Sequence, residues 1–123
     1  MAAKRLALLI SGSSIQAAYV PLMMAATAAA MDYECKLFFA FEGLALLLPE
    51  PPFDVPNEMA PAVPAFSVLR EACLEQGVEL IACSASLSMR GMEPGQLIPQ
   101  VTLAGMATWL AFASGADIQL NFS

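Results

Sequence analysis

The sequence predicts a single α/β domain built on an open, mainly parallel five-stranded sheet with helices on both faces. Three observations lead there. Short, nearly unbroken apolar runs alternate with helix-like segments, most of the runs lack every-second-residue polarity, and 123 residues leave room for one core. Parallel strands covered on both faces read as continuous hydrophobic stretches, and the intervening helices supply the crossovers such a sheet requires.

The strands are expected at Arg5–Ser11, Tyr33–Phe41, Val78–Cys83, Gln100–Leu103 and Asp117–Phe122. Ser13 or Ser14 is placed to cap a first helix over Ile15–Met31, with Pro21 kinking it or marking its first turn. A short helical turn follows Glu42, from Leu44 to Leu48. Residues 49–64 hold six of the nine prolines, a density that excludes regular structure, so a surface loop of polyproline character is expected there. Ala65–Gln76 returns to helix, with Val68, Leu69, Ala72 and Cys73 on one face and Gly77 as its stop. A helical stretch over Ser86–Met92 and a last helix over Gly105–Ala113, carrying Trp109, complete the order. No internal repeat or second domain is visible, so one domain spans residues 1–123.

Composition narrows the class. Hydrophobic residues make up 59% of the chain and charged ones only 13%, with a mean hydropathy of +0.66. Either a membrane protein or a soluble protein covered by copies or partners satisfies these values. No charge falls between Arg5 and Asp32 or between Glu93 and Asp117, and Lys4-Arg5 before Leu6–Ile10 imitates a signal peptide. Yet Ser11–Ser14, Gln16 and Pro21 interrupt the first stretch, and Pro94, Gly95, Pro99, Gln100 and Gly105 the second. A spanning helix needs about 20 predominantly apolar residues, whereas a run of five suits a buried strand. The soluble reading is preferred, with homo-oligomerisation (trimer, tetramer or hexamer) hiding the apolar excess.

The net charge of −6 and the lack of any basic cluster beyond Lys4-Arg5 leave no electrostatic footprint for nucleic acid. A partner with a positive face suits the charge better. Three cysteines without a CxxC pair, and no histidine, exclude a disulfide framework, the usual zinc sites and any His-activated nucleophile. They point to a reducing compartment, hence the cytoplasm.

In an open parallel sheet, reactive groups gather at the carboxyl ends of the strands. Cys35 lies near the start of its strand, and Cys73 on the apolar face of a helix; both read as small core hydrophobes. Cys83 alone ends a strand, Leu80–Cys83, and enters Ser84-Ala85-Ser86, which resembles a helix start. Backbone N–H groups there stabilise a thiolate or an anionic persulfide. Ser84 and Ser86 can add hydroxyl donors, and Arg90 is the nearby side-chain cation. Sulfur exchange needs a thiolate and a good leaving group but little general base, which suits a site without histidine. Position alone leaves Cys83 balanced between this role and that of a buried hydrophobe. The relay reading requires its sulfur to be reachable at the rim.

Three further features are weaker. Glu42 follows the second strand and should share the rim with Cys83, as a partner-orienting group, an acid or simply a helix cap. Ser11–Ser14 can cradle an anion but carries no nucleotide signature. Tyr19, Met23, Met24 and Trp109 read as core or subunit interface.

Three stretches together carry a resemblance. They are Ala17–Leu22 with the alanine-rich helix after it, Leu37–Leu44 with its Phe-Glu-Gly-Leu turn, and Ile81–Gly91 with its Ala-Cys-x-x-Ser-Met pattern; Leu103–Ala107 adds a glycine-containing crossover. Over nearly its whole length the chain resembles the DsrE/DsrF-like family of small sulfur-relay proteins. The resemblance implies a flavodoxin-like three-layer fold, an oligomer, and a cysteine, here Cys83, that accepts sulfane sulfur. It implies a sulfurtransferase or persulfide carrier of cytoplasmic sulfur metabolism, of the sulfur-oxidation type, with no cofactor besides the covalent persulfide. TusA-like carriers and rhodaneses are the partners it implies. Some relatives carry a second cysteine shortly after the first; residues 84–93 here have none, so sulfur must leave to another protein's thiol. The competing reading is a non-catalytic oligomeric binding or assembly subunit.

Overall fold

Strand formation follows the apolar runs closely. In the computed structural model, which describes residues 3–51 and 65–123, the strands are β1 (Arg5–Ile10), β2 (Glu34–Phe39), β3 (Glu79–Cys83), β4 (Thr102–Ala104) and β5 (Ile118–Phe122). All pair in parallel, in the order β4-β3-β2-β1-β5. The helices are α1 (Ile15–Ala30), α2 (Phe66–Glu75), α3 (Ser84–Met89) and α4 (Met106–Ala113), with a 3-10 helix over Phe41–Leu47 and a shorter one over Pro94–Gln96. The expected five-stranded α/β fold is present. The proline-rich segment falls largely outside the described residues, at positions 52–64.

Strand side chains alternate between two cores, which is why the runs look continuous in sequence. Leu6, Leu8, Ile10, Leu37, Phe39, Leu80 and Ala82 pack with α1, α2 and Leu87. Ala7, Phe38, Ala40, Ile81 and Cys83 pack with Trp109 and Phe112 of α4. Among the described residues, one face therefore carries the two longest helices and the other only α4. Among the described residues, no helix is long and apolar enough to cross a membrane.

Helix ends explain several boundaries. Ser14 caps α1, its hydroxyl accepting from the Ala17 amide at 3.1 Å. Pro21 lies inside α1, beyond its first turn, and is buried. α3 starts two residues earlier than expected and closes in a Schellman motif: the Met92 amide donates to Leu87 O at 2.9 Å and the Gly91 amide to Ser88 O at 3.1 Å. Gly91 adopts φ +64°, a left-handed conformation natural to glycine.

Three expectations need correction. β4 begins at Thr102 rather than Gln100, because the Val101 amide turns back to the Ile98 carbonyl at 3.4 Å. β2 stops at Phe39, since Phe41 turns the chain with φ +50°. The inner face of α2 is Phe66, Arg70 and Cys73, while Val68 is exposed. Buried Arg70 is satisfied by donating to Leu46 O and Leu48 O, both at 2.7 Å, and to Pro49 O at 3.3 Å. It thus caps the carboxyl end of the first 3-10 helix, which leaves carbonyls without internal partners.

Candidate functional site

Parallel strands bring every carboxyl end to one rim. Cys83 is the last residue of β3, beside Ala104 of β4 in register, and Ala40 occupies the corresponding position just past β2. As N-cap of α3, Cys83 presents its sulfur to the helix start, where Sγ accepts from the Ser86 amide at 3.4 Å. An amide donor of this kind is a contact that a thiolate or persulfide anion would strengthen. The flanking alanines bring little bulk to either side.

Exposure departs from expectation. Cys83 is only 1% exposed, packed with Phe38, Ile81 and Trp109. The Trp109 ring stacks on Phe38, with centroids 5.4 Å apart. Trp109 of α4 belongs to the same core cluster. The thiol therefore stands at the rim and beside an amide donor, as the relay reading needs, but under cover.

The supporting residues separate into near and far. Ser86 is 1% exposed, and its Oγ has no hydrogen-bond partner among the described residues. Ser84 is exposed and lines an open groove of about 460 Å3 with Leu87, Met92, Glu93 and Leu103. Glu42 is exposed in the first turn of the 3-10 helix at the same rim, without an ion pair among the described residues. Arg90 is misplaced as a thiol partner: it is the C-cap of α3, at the opposite end of the helix from Cys83. A cation there complements the helix's negative end instead. The Ser11–Ser14 segment is already engaged, with the Ser11 amide donating to Phe122 O at 2.8 Å and Ser14 capping α1.

The Phe-Glu-Gly turn at the rim shows two features that its sequence does not specify. Phe41 holds φ +50° while 48% exposed, an unusual conformation for a bulky aromatic. Gly43 accounts for the Phe-Glu-Gly turn, since a Cβ there would sit 2.2 Å from Ile10 O. The turn thus lies directly against the end of β1.

The other thiols behave as core groups. Cys73 Sγ donates to Leu22 O at 3.3 Å, and Cys35 Sγ lies 3.8 Å from Ala25 O. Burial, aided by proximity to Cys35, pushes the Cys73 thiol up to about 11. Burial, with Glu34 nearby, also raises that of Cys35. Among the described residues, no cluster of His, Cys, Asp or Glu could hold a metal ion.

A parallel five-stranded α/β domain with a capping cysteine at a strand–helix junction defines the class. The chain belongs to the DsrE/DsrF-like family, which it matches over residues 4–122. It is 29% identical to the "Sulfur carrier protein DsrE2" of Allochromatium vinosum, over 98% of this chain and 99% of that protein. It is 34% identical to the uncharacterised protein MK0008 of Methanopyrus kandleri, over 85% of this chain and 81% of that one. Among solved structures, the YchN protein of E. coli superimposes with a TM-score of 0.77 at 17% identity, covering 97% of this chain and 99% of YchN. MTH1491 of Methanobacterium thermoautotrophicum gives 0.72 at 15% identity, covering 96% and 98% respectively. These structural likenesses establish the fold.

Proposed function

We propose that this protein is a cytoplasmic sulfur carrier that takes sulfane sulfur onto Cys83 and passes it to a partner thiol, such as that of a TusA-like carrier or a rhodanese. The supporting observation is the amide of Ser86 donating to Cys83 Sγ at the start of α3. In the transfer, the Cys83 thiolate attacks the outer sulfur of a donor persulfide, R–S–SH. The new S–S bond forms as the old one breaks, the donor leaves as RS⁻, and the proton stays on the terminal sulfur. Loss of that proton leaves a persulfide anion, which the Ser86 amide and the unpartnered Ser86 hydroxyl stabilise by donating to it. Ser84 and Glu42, exposed on the rim, meet the incoming partner. Release is a second exchange of the same kind on the acceptor's thiolate, and no external cofactor enters either step. Because Cys83 is 1% exposed, docking has to uncover its sulfur before it moves.

Intact mass after incubation with polysulfide tests the proposal. Wild type should gain one sulfur atom and Cys83→Ala none; no gain on wild type from polysulfide, thiosulfate or a persulfidated carrier overturns it. One observation favours a second reading, a non-catalytic assembly subunit: the near-complete burial of Cys83. Under that reading a TusA-like partner binds Cys83→Ser as tightly as wild type, and its sulfur never leaves.

A further inference from the structure

Phe41 holds a conformation that its own packing does not offset. It turns the chain out of β2 with φ +50°, a region that bulky L residues seldom enter. Strain of this kind persists where the surroundings fix it, and it gathers at functional sites. The Ala40 amide donates to Ile10 O at 2.9 Å and the Gly43 amide to Ala40 O at 2.9 Å, so the chain is tied on both sides of Phe41. Yet the ring is 48% exposed, while Leu44, Leu46 and Leu47 of the same 3-10 helix are at most 1% exposed.

The ring stands one strand over from the thiol. Phe39 pairs with Ala82, so Ala40 is level with Cys83, and neighbouring strands run about 5 Å apart. On the other side of β3, Leu103 of β4 is 46% exposed and lines a groove with Ser84 and Glu93. Exposed apolar side chains therefore flank the end of β3 from both neighbouring strands.

Charge selects the occupant. Glu42 is exposed next to Phe41, and Glu93 is exposed in the groove beside Ser84. Neither is ion-paired among the described residues. Lys4, Arg5 and Lys36 lie toward the amino ends of β1 and β2, Arg70 is buried, and Arg90 caps the far end of α3. A second copy of this chain would set acid against acid here, and nucleic acid or an anionic lipid would bring phosphates to the same carboxylates. A protein with a basic face gains from both.

We propose that Phe41 is the anchor on which the thiol-bearing protein partner docks, its ring entering an apolar pocket of that partner, with Glu42 and Glu93 meeting basic residues around the pocket. The inference rests on the sulfur-carrier reading of Cys83, to which it adds how a protein donor is told from a small one. An aromatic already fixed in place binds with little ordering cost.

Binding of a persulfidated TusA-like carrier to Cys83→Ser tests the docking without any sulfur transfer. In that background Phe41→Asn should raise the dissociation constant at least about tenfold, whereas Phe41→Tyr, which keeps the ring, should not. Asparagine tolerates the left-handed region; should the variant misfold by circular dichroism, Phe41→Gly replaces it. With Cys83 present, Phe41→Asn should slow loading from the carrier by the same factor and leave loading from polysulfide unchanged, a split that mere structural damage does not produce. Glu42→Gln should raise the dissociation constant about threefold at low salt and less at high salt. An unchanged dissociation constant in Phe41→Asn, equal slowing with both donors, or no binding of the carrier by Cys83→Ser overturns the proposal. Carrier binding that depends on Phe41, with no sulfur gained by wild type from either donor, would uphold the docking surface and overturn the sulfur reading instead.

Discussion

The cysteines of this chain sit in two opposed settings on the same sheet. Cys35 and Cys73 lie between the sheet and the α1–α2 pair, where Cys73 donates its S–H to a backbone carbonyl and Cys35 faces one. Such a partner requires a protonated sulfur, and burial holds both thiols in that form. Cys83 is equally buried, yet its sulfur accepts from an amide at the start of a helix. Burial therefore does not separate the inert thiols from the candidate carrier; the direction of the hydrogen bond does.

The largest expected effect is at Cys83 itself. Cys83→Ser should abolish sulfur uptake completely while retaining the fold, since a hydroxyl also accepts from the Ser86 amide. Cys35→Ser should leave uptake unchanged, as read by intact mass. Next is the protonation of Cys73. A shift from 9.0 to about 11 leaves about a hundredfold less thiolate at neutral pH, so alkylation of Cys73 in the native protein should be slower than that of a free thiol by at least that factor. Its raised value also stabilises the fold below pH 9, and this contribution should fade between pH 9 and 11. Thermal melts across that window should therefore fall less steeply in Cys73→Ala.

Three smaller changes probe the rim and the far end of α3. Gly43→Ala drives a Cβ into the Ile10 carbonyl and should cost about 3 kcal/mol in denaturant titration. Gly91→Ala, which strains only a left-handed residue at the far end of α3, should cost about 1 kcal/mol. Ser86→Ala removes an unpartnered buried hydroxyl and should stabilise the protein by about 1 kcal/mol. The same change should shorten the lifetime of the Cys83 persulfide, measured by the decay of its mass signal. Stabilisation without that shortening would leave the hydroxyl no part in holding sulfur.

How far the sequence carried the account varies by residue. β1 and β3 were legible because both their faces are buried, which produces unbroken apolar runs. Cys83 was legible as a strand end followed by serines, and the same pattern gave the start of α3 to within two residues. Its burial was not legible, because it shares a core with Trp109, 26 positions further along the chain. Arg70 was invisible as a core residue, since its partners are carbonyls that side-chain patterns do not reveal. Arg90, near Cys83 in sequence, is the C-cap of α3, because six helical residues carry it to the far end of that helix.

Peptide-resolved mass spectrometry of the native protein, after exposure to polysulfide and blocking of free thiols, addresses the central claim most directly. The added sulfur should appear on the peptide containing Cys83, with Cys35 and Cys73 unmodified. Sulfur distributed evenly over the three cysteines, or found on Cys35 or Cys73 with Cys83 bare, would contradict the assignment of the accepting sulfur as the carrier.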